Sequence, residues 1–435
     1  MSRKDRRATG APEPSAEDRR RILRLVLRLG RLMVASGAQA HEVEARLRRV
    51  LEAYAAPAAA VVVSYTSVTV SYVAEDSAEA TTAVEVVRRW EPGYHRLVAA
   101  AGLTDAITRG EVTLTEAEKR LVEAAASPYP YPRWLGFAAP ALLSMAVTVM
   151  FGGRWYDALA TLGIGLAVQP ALERIDRSEL SAFFRVAVGV SATTIAVVLL
   201  VKVGVPIQGG LVLTGSLLRF LPGAVLVAGM RDFLDGALAS GTTRLVEVVL
   251  LGAAVAISAG LVLTGGRALD VHLTITAAGP EVYPVPVLAC AGAVAVVFYA
   301  CQLGVPAAGL APAALLGCVA VLVTRGIGEG ATDVDPLVGT LLAALVIGAG
   351  GQALAQRSAK PAALWLVPAI VPLLPAPATL IPLLAETESA REALRGQALG
   401  TAFCIGVGVA VGSILTETWR RRRRDTAPRR TRSRR

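Results

Sequence analysis

Apolar runs long enough to cross a bilayer recur from Leu135 to Thr416, separated by short polar or charged stretches. A spanning helix needs about 20 mostly apolar residues, because the hydrocarbon core is about 30 Å thick. The pattern therefore predicts an α-helical polytopic membrane protein with about ten transmembrane helices. We place the spans near residues 135–151, 155–172, 182–202, 208–230, 243–264, 285–303, 306–324, 336–356, 362–385 and 397–416.

The segment before these runs has shorter and more polar elements. A helical pattern begins at Arg19, with apolar residues three or four positions apart at Ile22, Val26, Leu29 and Met33. A second helix ends near Pro57, and residues 61–73 have the β-branched composition of a strand pair or a bulged strand. Three more helical pieces are predicted at 79–89, 94–109 and 116–126, the last opening with a capping box at Thr115–Glu118.

These patterns divide the chain into seven segments. A small α+β cytoplasmic domain is expected before the membrane unit, since it is long enough for its own core. The predicted segments are a disordered lead (1–17), this α+β domain (18–127), a Pro and aromatic linker (128–134), a first five-span repeat (135–265), a loop (266–284), a second five-span repeat (285–417) and a basic disordered tail (418–435).

Composition and charge support a membrane location. The chain is 54% hydrophobic and 18% charged, which is too apolar for an ordinary soluble enzyme. The formal charge of +10 comes mostly from arginines at the two ends. Such basic ends favour the cytoplasmic side and contact with anionic lipid over nucleic-acid binding. With an even number of spans, both termini are then cytoplasmic. The absence of Asn and the excess of Arg over Lys are typical of a GC-rich bacterium. We therefore expect the protein to lie in the bacterial cell membrane.

The sequence carries no pattern for a metal, a cofactor or an enzyme. Its four cysteines stand singly in apolar runs, and His41-Glu42-Val43-Glu44 lacks the second His of a zinc-protease helix. No phosphate-binding loop, dinucleotide fingerprint or nucleophile elbow is present. We therefore expect neither a cofactor nor an enzymatic activity.

One apolar run, residues 209–235, carries features that a plain anchor does not need. Arg219 lies in its interior, where a charge costs about 3 kcal/mol or more unless it is paired or hydrated. Leu221-Pro222-Gly223 follows and predicts a broken helix. Arg219 either snorkels or pairs structurally with Glu247, or it binds a substrate carboxylate or takes part in a gate. Pro222 and Gly223 either kink the helix or open it at a binding site.

The same break recurs in the second half of the membrane unit. Leu374-Pro375-Ala376 follows Leu221-Pro222-Gly223 at an offset of 374 − 221 = 153 residues, and Gly304 follows Gly153 at 304 − 153 = 151. Each triplet falls in the fourth of five predicted spans. Because five is odd, the second half must be inserted upside down relative to the first. Inverted repeats with matching broken helices place a substrate site near the middle of the membrane.

Charged residues cluster where the fourth predicted span ends and the fifth begins: Arg231, Asp232, Asp235, Arg244 and Glu247. They form either an interfacial set of ion pairs that fixes topology or a cytoplasmic gate. Glu247 is the deepest carboxylate and the first candidate for proton coupling, since burial raises a carboxyl pKa toward the working range. Gly408 and Gly412 have small-xxx-small spacing, which predicts close helix packing and leaves a homo-oligomer open.

Two stretches together resemble the threonine/serine exporter family. They are LRLGRLMVASGAQAHEVEARLRRV (Leu27–Val50), with LTEAEKRLVEAAASPYPYPRWL later in the same half, and LPGAVLVAGMRDFLDGALASGTTRLVE (Leu221–Glu247). The resemblance covers about Arg21 to Thr416. It implies a cytoplasmic domain, ten spans in two fused halves, and efflux of threonine and serine driven by the proton motive force.

Two functions from different classes follow. The first is a secondary transporter that exports threonine, serine or similar small neutral amino acids, with protons as the coupling partner. The second is a membrane-tethered regulatory or sensor module, with the cytoplasmic domain as its effector. Substrate flux in everted vesicles distinguishes the two, because a sensor moves no amino acid.

Overall fold

The computed structural model describes residues 15–54, 59–73, 80–88, 90, 92–178, 180–271, 273, 283–330, 335–374 and 388–426. The predicted site residues Pro375 and Ala376 lie outside these ranges, as do most of the predicted lead and the end of the basic tail. The chain divides into two compact units. One contains the described residues up to Pro130 together with Asp232–Arg244, and the other contains Tyr131–Arg231 and the described residues from Leu245 onward.

The described part of the N-terminal unit contains four helices of its own and a three-stranded sheet. The helices are α1 (Ala16–Ala35), α2 (Ala40–Ala53), α3 (Tyr94–Thr108) and α4 (Leu114–Ala125). Ser15 caps α1 by accepting a hydrogen bond from the Asp18 amide at 3.1 Å. The predicted apolar face of α1 is confirmed, because its members are buried: Ile22, Val26, Leu29 and Met33.

The sheet has the order β1 (Ala59–Val63), β2 (Ser67–Val73), β3 (Ala80–Val86), and both pairings are antiparallel. The predicted strand pair is confirmed as β1 and β2. The helix predicted at 79–89 is wrong, because this segment is β3 and pairs with β2 through Val70 opposite Ala83. Its β-branched residues suit a strand, and β2 offered an unpaired edge.

The predicted capping box of α4 is two residues out of register. Thr113, not Thr115, is the N-cap, and its hydroxyl accepts a hydrogen bond from the Glu116 amide at 3.3 Å. The helix therefore begins at Leu114, two residues before the predicted start. An N-cap must sit where the backbone leaves the helical conformation, and Thr113 has an extended backbone.

The second unit is helical. Its elements are α5 (Arg133–Met150), α6 (Trp155–Asp176), α7 (Ala182–Lys202), α8 (Gly209–Leu217), α9 (Gly223–Leu234), α10 (Leu238–Arg267), α11 (Val285–Gln302), α12 (Leu310–Gly330), α13 (Pro336–Ser358), α14 (Ala363–Ala369) and α15 (Glu388–Thr426). Helices α9 and α10 begin or end in the segment Asp232–Arg244, which the N-terminal unit includes.

Seven of the described helices are long and apolar enough to cross a membrane, or eight when α8 and α9 are counted as one span bent by 50°. Large apolar side chains stay exposed on them, such as Val249 (65%) and Leu261 (70%) of α10, as lipid-facing residues do. The chain is thus a multi-pass membrane protein. The prediction of ten spans also counted α6, which carries Asp157 and Gln169, and residues 362–385, which are described only to Leu374.

The two predicted halves share local landmarks. Residues Leu218–Phe220 and Val371–Leu373 each form a 3-10 turn, and each turn is followed by an extended leucine, Leu221 (ψ 131°) and Leu374 (ψ 132°). Gly152 and Gly304 each have a positive φ, 83° and 69°, at the end of the first helix of their half. The structural counterpart of Gly304 is therefore Gly152 rather than the predicted Gly153, because glycine is the residue that adopts this backbone without strain.

The glycines of α15 pack against α13. A Cβ on Gly408 would lie 2.6 Å from the Ala344 Cβ, and one on Gly412 would clash with the Leu345 carbonyl oxygen. The predicted close packing of this span is confirmed. Within the described residues the contact partner is another helix of the same chain, so this glycine face does not by itself indicate a dimer.

Candidate functional site

The predicted break in the fourth span is present. Helix α8 ends at Leu217, the 3-10 turn Leu218–Phe220 follows, and α9 begins at Gly223. Pro222 has no N–H and fixes its φ, which favours an interruption of the helix at this position. The first helical bond of α9 runs from the Leu226 amide to the Pro222 carbonyl at 3.0 Å. The earlier amides of Ala224 and Val225 therefore lie at the helix N-terminus, where the partial charge is positive.

The break at Gly223 contacts the end of the second 3-10 turn. A Cβ added to Gly223 would lie 3.0 Å from Leu374 Cδ2 and 3.2 Å from Ile370 Cδ1. Leu374 is the extended residue that ends the second 3-10 turn. A side chain at position 223 would have to push Leu374 and Ile370 aside, so glycine permits the close approach.

Arg219 lies immediately before this contact. Its Nη2 donates a hydrogen bond to Gln169 Oε1 at 2.7 Å, and its guanidinium carbon lies 5.4 Å from the centre of the Phe220 ring. Gln169 is buried in α6. The structural pairing of Arg219 with Glu247 that we considered is wrong, because no ion pair within 4.0 Å joins these two described residues and the neutral Gln169 takes that place. Gln169 is neutral, so this hydrogen bond itself brings no negative charge to Arg219.

The charged residues at the end of α9 and the start of α10 form two groups. Arg231 belongs to the second unit, where it donates to Gln352 Oε1 at 3.3 Å and lies 3.9 Å from the Glu417 carboxylate. Asp232 and Arg244 belong to the N-terminal unit. Asp235 and Glu247 are partly exposed. The predicted set is therefore divided, and the proposed roles of its members in gating and proton coupling stay predictions.

Asp232 and Arg244 form a fully buried ion pair. Arg244 Nε lies 3.3 Å from Asp232 Oδ2, and neither side chain has any exposed surface. The other carboxylate oxygen accepts a hydrogen bond from the Ala40 amide at 3.0 Å. Gln39, the N-cap of α2, makes no capping bond with its side chain, so Asp232 supplies the negative group that a helix N-terminus favours.

Arg244 is bound on two further sides. Its Nη2 donates to the Ala38 carbonyl at 3.0 Å, and its guanidinium carbon lies 4.6 Å from the centre of the Tyr65 ring. This distance is within the range of a cation–π interaction. Residues 38–40 and the β1–β2 turn thus surround the ion pair.

The described residues contain no group of three or more His, Cys, Asp or Glu side chains suited to a metal ion. The charged side chains around the break are instead single and separately bonded, as Arg219 is to Gln169.

Comparisons with known proteins agree with the membrane fold. A family model of threonine/serine exporters matches residues 24–265, and a second model of threonine/serine exporters matches residues 288–418. The chain belongs to the threonine/serine exporter family. It is accordingly a member of a transporter family and not an enzyme. No solved structure gives a significant match to the chain.

Two curated relatives of this threonine/serine exporter family member carry the same name. The chain is 27% identical over 413 residues to the "Probable threonine/serine exporter" of Mycobacterium tuberculosis, covering 92% of this chain and 77% of the relative. It is 25% identical over 417 residues to the "Threonine/serine exporter" of Corynebacterium glutamicum, covering 92% of this chain and 83% of the relative. Both alignments span the N-terminal and membrane segments.

Two contacts of this exporter-family chain were not expected from its sequence. Tyr65 and residues 38–40 surround the Asp232–Arg244 pair, although Ala40 and Asp232 are 192 positions apart. Asp157 is fully buried at the start of α6 and accepts hydrogen bonds from the amides of Arg154 at 3.0 Å and Gln208 at 2.7 Å. A carboxylate at the start of an apolar run was the available indication for Asp157, and nothing local indicated Tyr65.

Proposed function

We propose that the chain is a secondary active transporter that exports threonine, serine or similar small neutral amino acids from a bacterial cell by proton antiport. The contact between Gly223 and Leu374 carries the proposal. It supports two inverted five-span halves whose broken helices meet at one substrate site, the arrangement typical of secondary transporters. Both termini are cytoplasmic, and the basic tail contacts anionic lipid.

The substrate carboxylate binds beside the first break. Arg219 has a neutral hydrogen-bond partner, so its charge is available to balance an anion. The N-terminal amides of α9 add donors on the same side of the break. The proposed binding or gating residues are Arg219, Leu221, Pro222, Gly223, Leu374, Pro375 and Ala376.

Proton coupling is assigned to the charged set at the cytoplasmic end of the fourth and fifth spans. Glu247 is the first candidate for the proton carrier, because it is a partly buried carboxylate within an apolar helix. The other proposed coupling or gate residues are Arg231, Asp232, Asp235 and Arg244. Replacement of Glu247 by Gln should remove the dependence of transport on pH and on a protonophore. Transport by Glu247→Gln that keeps both dependences contradicts this assignment.

Flux into everted membrane vesicles tests the proposal. Threonine and serine should accumulate when the vesicles are energised, and a protonophore should abolish the accumulation. Arg219→Ala should abolish uptake at normal protein abundance. The matched control is Arg185→Ala in α7, since Arg185 is a half-buried arginine held by a longer, 3.9 Å contact with Asp176. Accumulation without protonophore sensitivity would exclude antiport, and absence of any flux would favour the sensor module.

A further inference from the structure

The segment between the fourth and fifth spans belongs to the N-terminal unit. Asp232 lies near the C-terminal end of α9, and Arg244 lies near the N-terminal end of α10. Their contacts are with Ala38, Ala40 and Tyr65. We call these five residues the latch.

The latch contains an incompletely bonded ion pair. Both charged side chains are fully buried, yet Asp232 Oδ2 and the Nε and Nη1 of Arg244 have no hydrogen-bond partner of good geometry among the described residues. Burying two charges is favourable only when geometry is good and the remaining polar atoms are bonded. Under-bonded buried polar groups in native structures call for an explanation beyond stability. A pair of this kind is suited to opening and closing.

Helix α9 connects the latch to the break. Gly223, which contacts Leu374, begins the helix, and Asp232 lies nine residues later, about 14 Å along the axis at 1.5 Å per residue. A helix of this length moves as a rigid element. Any displacement of α9 at the break therefore displaces Asp232 from the Ala40 amide or moves residues 38–40 with it.

We propose that the latch opens and re-forms in each transport cycle, so that the N-terminal domain is a moving part of the exporter. This inference rests on the proposed export function. In the closed latch, Asp232 caps α2 and Arg244 stacks on Tyr65. In the open latch, α9 has moved, and the N-terminus of α2 is exposed to solvent.

Cysteine labelling tests the opening. Ala40 is 1% exposed, so an Ala40→Cys variant should react slowly with a membrane-impermeant maleimide at rest. The variant is made in a parent protein whose native cysteines have been replaced, and that parent is first shown to transport threonine. The replaced residues are Cys290, Cys301, Cys318 and Cys404. In energised everted vesicles supplied with threonine, the labelling rate should rise about tenfold. Such a rise is expected if the fraction of molecules with an open latch increases from about 1% to about 10%. Unchanged labelling during measured flux overturns the proposal.

Two control positions in the same unit separate latch opening from unfolding. Ala117→Cys in α4 is buried and should stay protected during turnover, whereas Val122→Cys in the same helix is 65% exposed and should label equally fast in both states. Acceleration at position 117 equal to that at position 40 would indicate unfolding and would also overturn the proposal.

Tyr65 variants test the latch without any flux. Tyr65→Leu removes the ring beneath Arg244 and should raise the resting labelling of Ala40→Cys several-fold, about threefold for a loss in the range of one cation–π contact. Tyr65→Phe keeps the ring and should change labelling much less. Equal effects of the two variants contradict the stacking role. Absence of flux overturns the export function and its coupling to the latch. The effect of Tyr65→Leu on the labelling rate without transport depends on the latch contacts alone.

Discussion

The side chain of Leu374 packs against the backbone of Gly223, so the ends of the two 3-10 turns are in direct contact. Gly223 begins α9 directly after the interruption of the fourth span, and Leu374 ends the turn Val371–Leu373 that follows α14. Interrupted helices are tolerated in membranes when neighbouring helices or water satisfy the freed backbone groups. The contact therefore joins the break of the fourth span to the end of the second 3-10 turn.

Enlarging residue 223 should separate the breaks. Gly223→Val places methyl groups against Leu374 and Ile370, and overpacking of this kind typically costs about 1–3 kcal/mol. We expect export to fall at least tenfold at equal protein abundance, measured as threonine uptake into everted vesicles. The double variant Gly223→Val, Leu374→Ala removes the clash with Leu374 and should recover part of the activity.

Gly163 in α6 provides the control, because a Cβ there meets nothing within 4 Å. Gly163→Val should keep near-normal uptake. Equal loss in the two single variants, or no recovery in the double variant, would show that the contact at position 223 does not limit transport.

Removing the partner of Arg219 should destabilise the protein more than removing both members. Gln169→Leu leaves a partly buried cationic donor without its 2.7 Å acceptor, a loss of about 1–3 kcal/mol in the free energy of unfolding. The double variant Gln169→Leu, Arg219→Leu should recover most of that stability and still lack export. Melting temperatures in detergent measure the first effect and vesicle uptake the second. Additive losses of stability would mean that the two side chains are not coupled.

The Arg21–Glu118 ion pair should stabilise the N-terminal unit only above acidic pH. The hydrogen bond from Arg21, at 2.6 Å, lowers the pKa of Glu118 below its ordinary value. A carboxyl whose folded-state pKa is lowered contributes stability above its unfolded pKa, and that contribution is lost as pH falls through the folded value. Glu118→Gln should therefore reduce the melting temperature at pH 7, and the difference from the parent should shrink below about pH 4.

Glu123→Gln is the control for Glu118, since Glu123 lies in the same helix and its contact with Lys119 is longer, 4.0 Å, and well exposed. It should leave the melting temperature nearly unchanged at pH 7. A difference for Glu118→Gln that stays constant from pH 7 to pH 3 would exclude the ion pair as its cause.

Two glycines of α15 should respond oppositely to alanine. A Cβ on Gly412 meets the backbone carbonyl of Leu345, which cannot rotate away, so Gly412→Ala should destabilise the protein. Gly396 has nothing within 4 Å of its Cβ position, and Gly396→Ala should be neutral or stabilising by up to about 1 kcal/mol through helix propensity. Thermal melting of the two variants side by side checks the prediction, and a similar loss for both would contradict it.

The sequence predicted those features that local periodicity determines. The apolar face of α1 and the break at Leu221–Gly223 follow from spacing and from proline chemistry. Residues 80–86 were mistaken for a helix because apolar and polar residues alternate only weakly in this mixture of Thr, Val and Ala. The pairing of this segment with β2 decides its conformation. The contact of Asp232 with the Ala40 amide joins residues far apart in the chain, so no local pattern contains it.

Helix α9 has a fixed length for a geometric reason. Its first residue, Gly223, contacts Leu374, and Asp232 near its other end bonds to Ala40. Inserting or deleting one residue between them would turn one end by about 100° relative to the other and shift it by about 1.5 Å. Asp232 would then point in another direction relative to Gly223, although composition and hydropathy would hardly change. Substitutions of the residues between Gly223 and Asp232 are therefore tolerated more readily than any change in their number.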